Sequence, residues 1–198
     1  DMELSSDASV PLPIGNWDTY DFYLNLGSLA NVETKYFKGR VPTWTAFAAH
    51  PTYDAYWQAR AVQRKLDKAS VPTLTVGGWW DQEDRWGPLA TYKALERSDA
   101  ANRNFLVMGP WNHGGWRNTA RRMEVVDPGT SEEYLRDIEA PFFATYLKDR
   151  KVAPQPEAKL YDAGSRAWRS FDSWPPKTGV QKSLYVRAGG VLSFNPPT

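Results

Sequence analysis

Two short segments constrain this chain more than any other feature: Gly77-Gly78-Trp79-Trp80-Asp81-Gln82-Glu83-Asp84 and Gly109-Pro110-Trp111-Asn112-His113-Gly114-Gly115-Trp116. Each follows a short apolar run, Pro72-Thr73-Leu74-Thr75-Val76 in the first case and Asn104-Phe105-Leu106-Val107-Met108 in the second. Such runs, closed by glycine, have the pattern of strands covered on both faces. Between them, residues 88–97 carry Leu89, Tyr92 and Leu95 at helical spacing. A strand, helix, strand order calls for parallel strands joined by a crossover helix. Both glycine-rich loops then emerge at one sheet edge, the carboxyl end, where open α/β sheets carry their sites.

The rest of the chain is organised around that unit. Residues 1–69 are aromatic-rich and lack strand alternation, and read as small helices and loops. Tyr20, Tyr23, Leu24 and Leu26 suit one helix ended by Gly27, and Pro51 suits the first position of another, with Tyr53, Tyr56, Trp57 and Val62 as its buried stripe. Thr130-Ser131-Glu132-Glu133 fits a capping box. Leu135, Ile138, Phe142 and Tyr146 continue a helical stripe to about residue 150, and Pro141 should kink it. Val152-Ala153-Pro154-Gln155-Pro156 reads as a stiff linker and a domain boundary. Beyond it, residues 158–162, 167–171, 183–187 and 191–194 read as strands, with Gly189-Gly190 as a two-residue hairpin turn. The expected domains are therefore 1–69, 70–152 and 153–198, the last opening a β-sandwich.

Composition excludes several classes of function. Basic and acidic residues nearly cancel, 24 against 23, so no global field draws nucleic acid or an anionic membrane. No apolar run reaches the roughly 20 residues that span a bilayer. Without cysteine there is no disulfide, thiolate metal site or thiol nucleophile. Asp1 is not an initiator methionine, and the chain stops just beyond a hairpin. A chain truncated at both ends is the expectation.

Asp81 and His113 lie 32 positions apart, enough for one loop, one helix and one strand. In Ser-His-Asp hydrolases of the α/β class the triad runs serine, acid, histidine along the chain, each on a loop after a strand. The last two members occur here in that order and context. No Gly-x-Ser-x-Gly elbow precedes them. Asp81 and His113 are thus the candidate acid and base of a catalytic site whose nucleophile lies outside this sequence. His50, the other histidine, precedes Pro51 at a helix start with no strand before it, and reads as structural. Glu83 and Asp84 crowd Asp81, which suits either a solvated loop or a site for a cationic group such as an α-ammonium. Five of the ten tryptophans, Trp79, Trp80, Trp86, Trp111 and Trp116, sit in or next to the two segments, as core, pocket wall or both. A non-catalytic module that holds sugar or peptide on its tryptophans and β portion is the alternative from another class.

The first segment with Trp86-Gly87-Pro88-Leu89, and the second with Leu106-Val107-Met108 before it, closely resemble the α-amino acid ester hydrolases and glutaryl cephalosporin acylases, within the wider cocaine esterase and X-prolyl dipeptidyl peptidase group. His50-Pro51-Thr52-Tyr53-Asp54-Ala55-Tyr56-Trp57, Pro141-Phe142-Phe143, Tyr146-Leu147-Lys148, Trp168-Arg169 and Trp174-Pro175-Pro176 extend the resemblance over nearly the whole chain. It implies the C-terminal part of an α/β-hydrolase domain with the remnant of a helical cap, followed by the start of a jelly-roll β domain. It also implies Asp81 as triad acid, His113 as base, and Glu83 and Asp84 on two positions of a substrate-binding carboxylate cluster. The implied activity is acyl transfer through a serine ester on a small-molecule ester or amide, such as an α-amino acyl ester or a β-lactam side chain, with an X-prolyl dipeptidyl peptidase as the rival. No metal or organic cofactor is implied. The expected partner is the missing N-terminal part of the same protein, without which the segment should be inactive. A homo-oligomer is compatible with the sequence, and the resemblance favours a periplasmic or secreted location.

Overall fold

In the computed structural model, which describes residues 10–14, 19–117 and 130–197, the two apolar runs are adjacent parallel strands. Strand β1 (Thr73–Gly78) pairs with β2 (Asn104–Gly109) in the register Thr73↔Asn104 through Gly78↔Gly109. The paired ends therefore release their loops side by side. Every residue of β2 is buried, as its unbroken apolar run requires. Leu106 and Met108 pack with Tyr92 on one face, while Val107 packs with Tyr134 and Ile138 on the other.

The chain divides into two compact units, the first ending at Val62 and the second beginning at Gln63. Among its described residues the first unit holds four α-helices: α1 (Tyr20–Leu26), α2 (Ala30–Val32), which runs on into a π-helical segment, Glu33–Phe37, then α3 (Pro42–Ala49) and α4 (Ala55–Arg60). Leu26, Val32 and Phe37 form its buried centre, with Phe22, Val41 and Trp44 against them. Pro51 does not open a helix. The proline at a helix start is Pro42, and α4 begins three residues after His50-Pro51-Thr52, where Asp54 Oδ1 accepts the Tyr56 N–H at 2.9 Å. A capping carboxylate satisfies an orphan amide that proline cannot. Tyr53 and Val62, expected in a buried stripe, are exposed, whereas Tyr56 and Trp57 are half-buried.

In the second unit, α5 (Trp86–Glu96) is the crossover from β1 to β2, with Tyr92 and Leu95 buried as their spacing predicts. After β2 come a 3₁₀ turn (Gly115–Arg117), α6 (Thr130–Tyr134), a π-helical segment (Leu135–Glu139) and α7 (Ala140–Lys148). Pro141 stands in the first turn of α7, directly after the π segment. The missing proline donor is absorbed by widening the helix just before it. Thr130 and Glu133, expected as a capping pair, accept the indole N–H groups of Trp111 (3.2 Å) and Trp168 (3.0 Å).

Strands β3 (Ala158–Asp162) and β4 (Ala167–Phe171), expected to open a separate β-sandwich, instead extend the same sheet in the order β1-β2-β3-β4. β3 runs parallel to β2 and β4 antiparallel to β3. The proline-rich stretch at 152–156 is thus the return leg of a second crossover. Ala158 and Leu160 complete the apolar face begun by Leu106 and Met108, and β3 covers the open edge of β2. A separate hairpin, β5 (Tyr185–Val186) with β6 (Leu192–Ser193), turns through a three-residue loop closed by Arg187 N–H to Val191 O at 2.8 Å, not through two residues. Among the described residues no helix is long and apolar enough to cross a membrane.

Candidate active site

The loops after β1 and β2 are stitched together by their backbones. Trp79 N–H donates to Gly109 O (2.9 Å) and Trp80 N–H to Trp111 O (3.0 Å). The second bond needs the chains in close contact at Gly78. A Cβ there would lie 2.1 Å from Trp111 O and 2.8 Å from its carbonyl carbon, so only glycine fits. Below this seam Trp111 is 1% exposed, ringed by Tyr134, Trp116 and Trp168. It holds the second loop to the helical layer.

The seam brings Asp81 and His113 together, with His113 Nδ1 3.0 Å from Asp81 Oδ2. The other carboxylate oxygen, Oδ1, accepts the N–H groups of Glu83 (2.8 Å) and Asp84 (2.9 Å). Asp81 is thereby fixed at both oxygens, with its side chain 3% exposed. Burial pushes its carboxyl up, but the backbone N–H groups of Asp84 and Glu83 and the His113 ring outweigh it, and the pKa stands below the ordinary aspartate value. The Asp81 hydrogen bond, then the charges of Glu83 and Asp81, hold the His113 imidazole above its usual value. The two shifts agree: each partner favours the charged form of the other.

The His113 side chain is half exposed, and its Nε2 lies 3.9 Å from Glu83 Oε2. An imidazole that leans on a buried carboxylate through Nδ1 has Nε2 left for proton transfer. Glu83 is exposed. Asp84 is turned elsewhere, its Oδ1 accepting Gly87 N–H at 2.6 Å in the first turn of α5. A cavity of about 680 Å³ opens over residues 79–86, so three of the expected site residues, Asp81, Glu83 and Asp84, border it. Of the five tryptophans in this region, Trp111 is core, Trp86 is exposed, and Trp80 is 37% exposed. Trp79 donates its indole N–H to Tyr161 O at 2.9 Å, pinning the first loop to β3.

His50 also meets a carboxylate, Asp54 Oδ2 at 2.6 Å, but both lie on one short loop in the helical unit. The ring is stacked on Tyr56, its carbonyl accepts the Trp57 indole, and Asp54 caps α4 at the same time. These bonds build a helix start. Among the described residues no group of three or more His, Cys, Asp or Glu side chains is arranged to hold a metal ion.

Sequence reasoning did not anticipate the part played by Gly78, Gly87 and the Trp111 carbonyl. The Gly77-Gly78 pair was the available signal, since two glycines at a strand end mark close backbone approach. Asn112 Oδ1, beside His113 in sequence, is buried without a donor among the described residues, and nothing in the sequence marked it.

The chain is similar to known proteins over most of its length. The family described as X-Pro dipeptidyl-peptidase (S15 family) matches residues 2–115, a span that contains all four expected site residues. Two proteins described as candidate serine esterases, from Mycobacterium bovis and Mycobacterium tuberculosis, are each 27% identical over 146 residues, or 72% of this chain and 21% of theirs. The crystal structure of an aminopeptidase from a marine sediment Thaumarchaeota archaeon matches with a TM-score of 0.80 and 36% identity, over 92% of this chain and 30% of that one. An α-amino acid ester hydrolase matches with a TM-score of 0.81 and 32% identity, over 93% and 32% respectively. The chain spans about a fifth of the curated relatives and a third of the solved structures.

Proposed function

Because the chain belongs to the X-Pro dipeptidyl-peptidase (S15) family, we propose that it supplies the acid and base of a serine-dependent acyl hydrolase, with Asp81 as the acid and His113 as the base. The observation that carries this reading is the 3.0 Å contact of His113 Nδ1 with buried Asp81 Oδ2, on loops from adjacent parallel strands. In the proposed reaction a serine hydroxyl from elsewhere in the full-length polypeptide attacks the substrate carbonyl and gives its proton to His113 Nε2. The imidazolium, stabilised by Asp81, passes that proton to the departing alkoxide or amine, leaving an acyl-serine. Water then attacks the ester carbon, its proton going to Nε2 and on to the serine oxygen as the acid is released.

The substrate class follows from charge at the site. Glu83 and Asp84 border the cavity with Asp81 and favour a substrate with a free α-ammonium. The names of two solved relatives agree: an aminopeptidase and an α-amino acid ester hydrolase act at a carbonyl next to an amino group. An α-amino acyl ester or amide is therefore the first choice. An X-prolyl dipeptide amide is the second, favoured by the family that matches. Architecturally, we take the helices of the first unit as part of a cap, β1–β4 as the end of the hydrolase core, and the β5–β6 hairpin as the beginning of a jelly-roll domain.

The test is turnover by the full-length polypeptide of α-amino esters, their des-amino counterparts and Xaa-Pro amides, with His113→Ala alongside. The expected result is hydrolysis of amino-bearing substrates, and a loss of about 10⁴-fold or more in kcat on removing the base. Undiminished turnover by His113→Ala would overturn the assignment. Turnover of the proline amides alone would move it to the dipeptidyl peptidase reading.

A further inference from the structure

We propose that Thr130 and Ser131 are positioning residues: these consecutive side chains at the start of α6 hold the turn that carries His113 from both sides, at Trp111 and at Gly115. The inference rests on the assignment of His113 as the base, and it gives a motif that fits a helix start a part in the site.

His113 stands midway along the turn, two residues after Trp111 and two before Gly115. Its ring is half exposed, and among the described residues its ion-pair contacts are Asp81 at 3.0 Å and Glu83 at 3.9 Å. A ring so exposed takes its place from the backbone beneath it. That backbone is held at each end. The Trp111 indole N–H donates to Thr130 Oγ1 at 3.2 Å, and the Ser131 hydroxyl donates to Gly115 O at 3.1 Å. Thr130 is 4% exposed and Ser131 0%, so both bonds are closed off from water, where losing a partner is costly. Burial also separates Ser131 from the role of nucleophile, since its hydroxyl is engaged by a backbone carbonyl and does not reach a substrate.

The turn between the two anchors is tightly folded. Gly115 N–H donates back to Asn112 O at 3.0 Å, and a Cβ at Gly115 would lie 2.7 Å from Asn112 Oδ1 and 2.9 Å from Trp111 Cβ. A shift of the Gly115 carbonyl therefore carries through Asn112 to His113. The helix on the far side of both bonds is fixed in its turn, because Tyr134 of α6 is 1% exposed and packs with Val107 of β2 and with the Trp111 ring. The sheet thus sets the base loop twice, directly through the strand that precedes it and again through α6.

Steady-state kinetics of the full-length enzyme across pH, on the substrate it hydrolyses in the panel above, decide the matter. Ser131→Ala removes the donor to Gly115 O and is expected to lower kcat by about 10-fold, with KM within about 2-fold of the parent. It should also move the acid limb of the kcat/KM profile to lower pH, because the Asp81 hydrogen bond is the largest influence holding the His113 pKa up and a loosened turn weakens it. Thr130→Val has nearly the same shape without the acceptor and should do the same. Thr130→Ser returns the oxygen and should restore kcat. This second pair decides the question should Ser131→Ala fail to fold. A lowered Tm beside an unchanged kcat, or a lost kcat with the acid limb unmoved, would overturn the proposal, as would a Thr130→Ser variant no better than Thr130→Val. Full activity in His113→Ala would instead condemn the base assignment itself.

Discussion

The most demanding prediction concerns Gly78→Ala, a change of one methyl group at a residue that touches no substrate. The added Cβ would stand 2.1 Å from Trp111 O, 2.8 Å from Trp111 C and 3.3 Å from Asn112 O. All three are backbone atoms, so no side-chain rotation relieves the overlap. Ordinary contact begins at 3.4 Å, which requires the loops to separate by about 1.3 Å at that point. The Trp80 N–H to Trp111 O bond, now 3.0 Å, is the first casualty. Asp81 stands three residues beyond Gly78 and His113 two beyond Trp111, so much of the displacement reaches their 3.0 Å contact. A gap of that size takes a hydrogen bond past its useful range. Misplacement of a catalytic pair by about 1 Å costs on the order of 10²-fold in rate, and overpacking of this kind costs about 1–3 kcal/mol in stability. The assay is kcat/KM of the full-length enzyme together with a thermal melt. Activity within about 3-fold of the parent, at an unchanged Tm, would refute the claim that the seam between the loops sets the acid–base geometry.

Two further predictions follow from charge. Hydrolysis requires neutral His113, and its pKa is raised, so kcat/KM should fall as pH drops through a value above the usual 6.5; Asp81→Asn should move that midpoint down and cut kcat by about 10⁴-fold, and a midpoint unmoved by Asp81→Asn would sever the link between them. Burial, aided by Glu96 and Asp99 and opposed by the Tyr92 hydroxyl and Lys177, holds Glu157 above its ordinary value. A raised folded-state pKa contributes stability that is complete below the unfolded value and lost as pH rises through the folded one. Glu157→Gln, which still accepts from Tyr92, should therefore raise Tm at neutral pH, with a benefit that fades toward about pH 4. A Tm difference independent of pH would contradict this.

The parts of the molecule legible in the sequence were those where one local pattern decides the outcome. Residues 104–108 form an unbroken apolar run, and only a strand covered on both faces can bury all of it; β2 does so. Leu89, Tyr92 and Leu95 had a single helical arrangement that buries them together. The misreadings arise where partners compete, distant in sequence for the strands and close by for Pro51. Ala158 and Leu160 alternate as well in a sandwich as in a mixed sheet, and the open edge of β2 decided between the two. Pro51 has the character of a helix opener, yet the capping carboxylate of Asp54 sets the start of α4 downstream.

The Asp81–His113 contact belongs to the legible class for a topological reason. A right-handed crossover between neighbouring parallel strands delivers both following loops to one edge, so order along the chain becomes proximity in space. What places Asp81 against His113 lies largely between Thr73 and Trp116: the β1–β2 register, the backbone seam at Gly78 and the turn that holds Asp81 Oδ1. None of these contacts calls on the strand that would carry a nucleophile. The Asp81–His113 contact is therefore held from within this segment, and in the proposed reaction a serine needs only to come within hydrogen-bond reach of Nε2. The neighbour of Nε2 in this chain is Glu83. In the proposed reaction a serine and an α-ammonium would approach the same imidazole edge and the same carboxylate, and an ion pair between Glu83 and the substrate would draw that negative charge away from His113. In the proposed reaction an α-ammonium paired with Glu83 would offset one of the charges that hold the His113 pKa up, while the larger effect, the Asp81 hydrogen bond, stays in place.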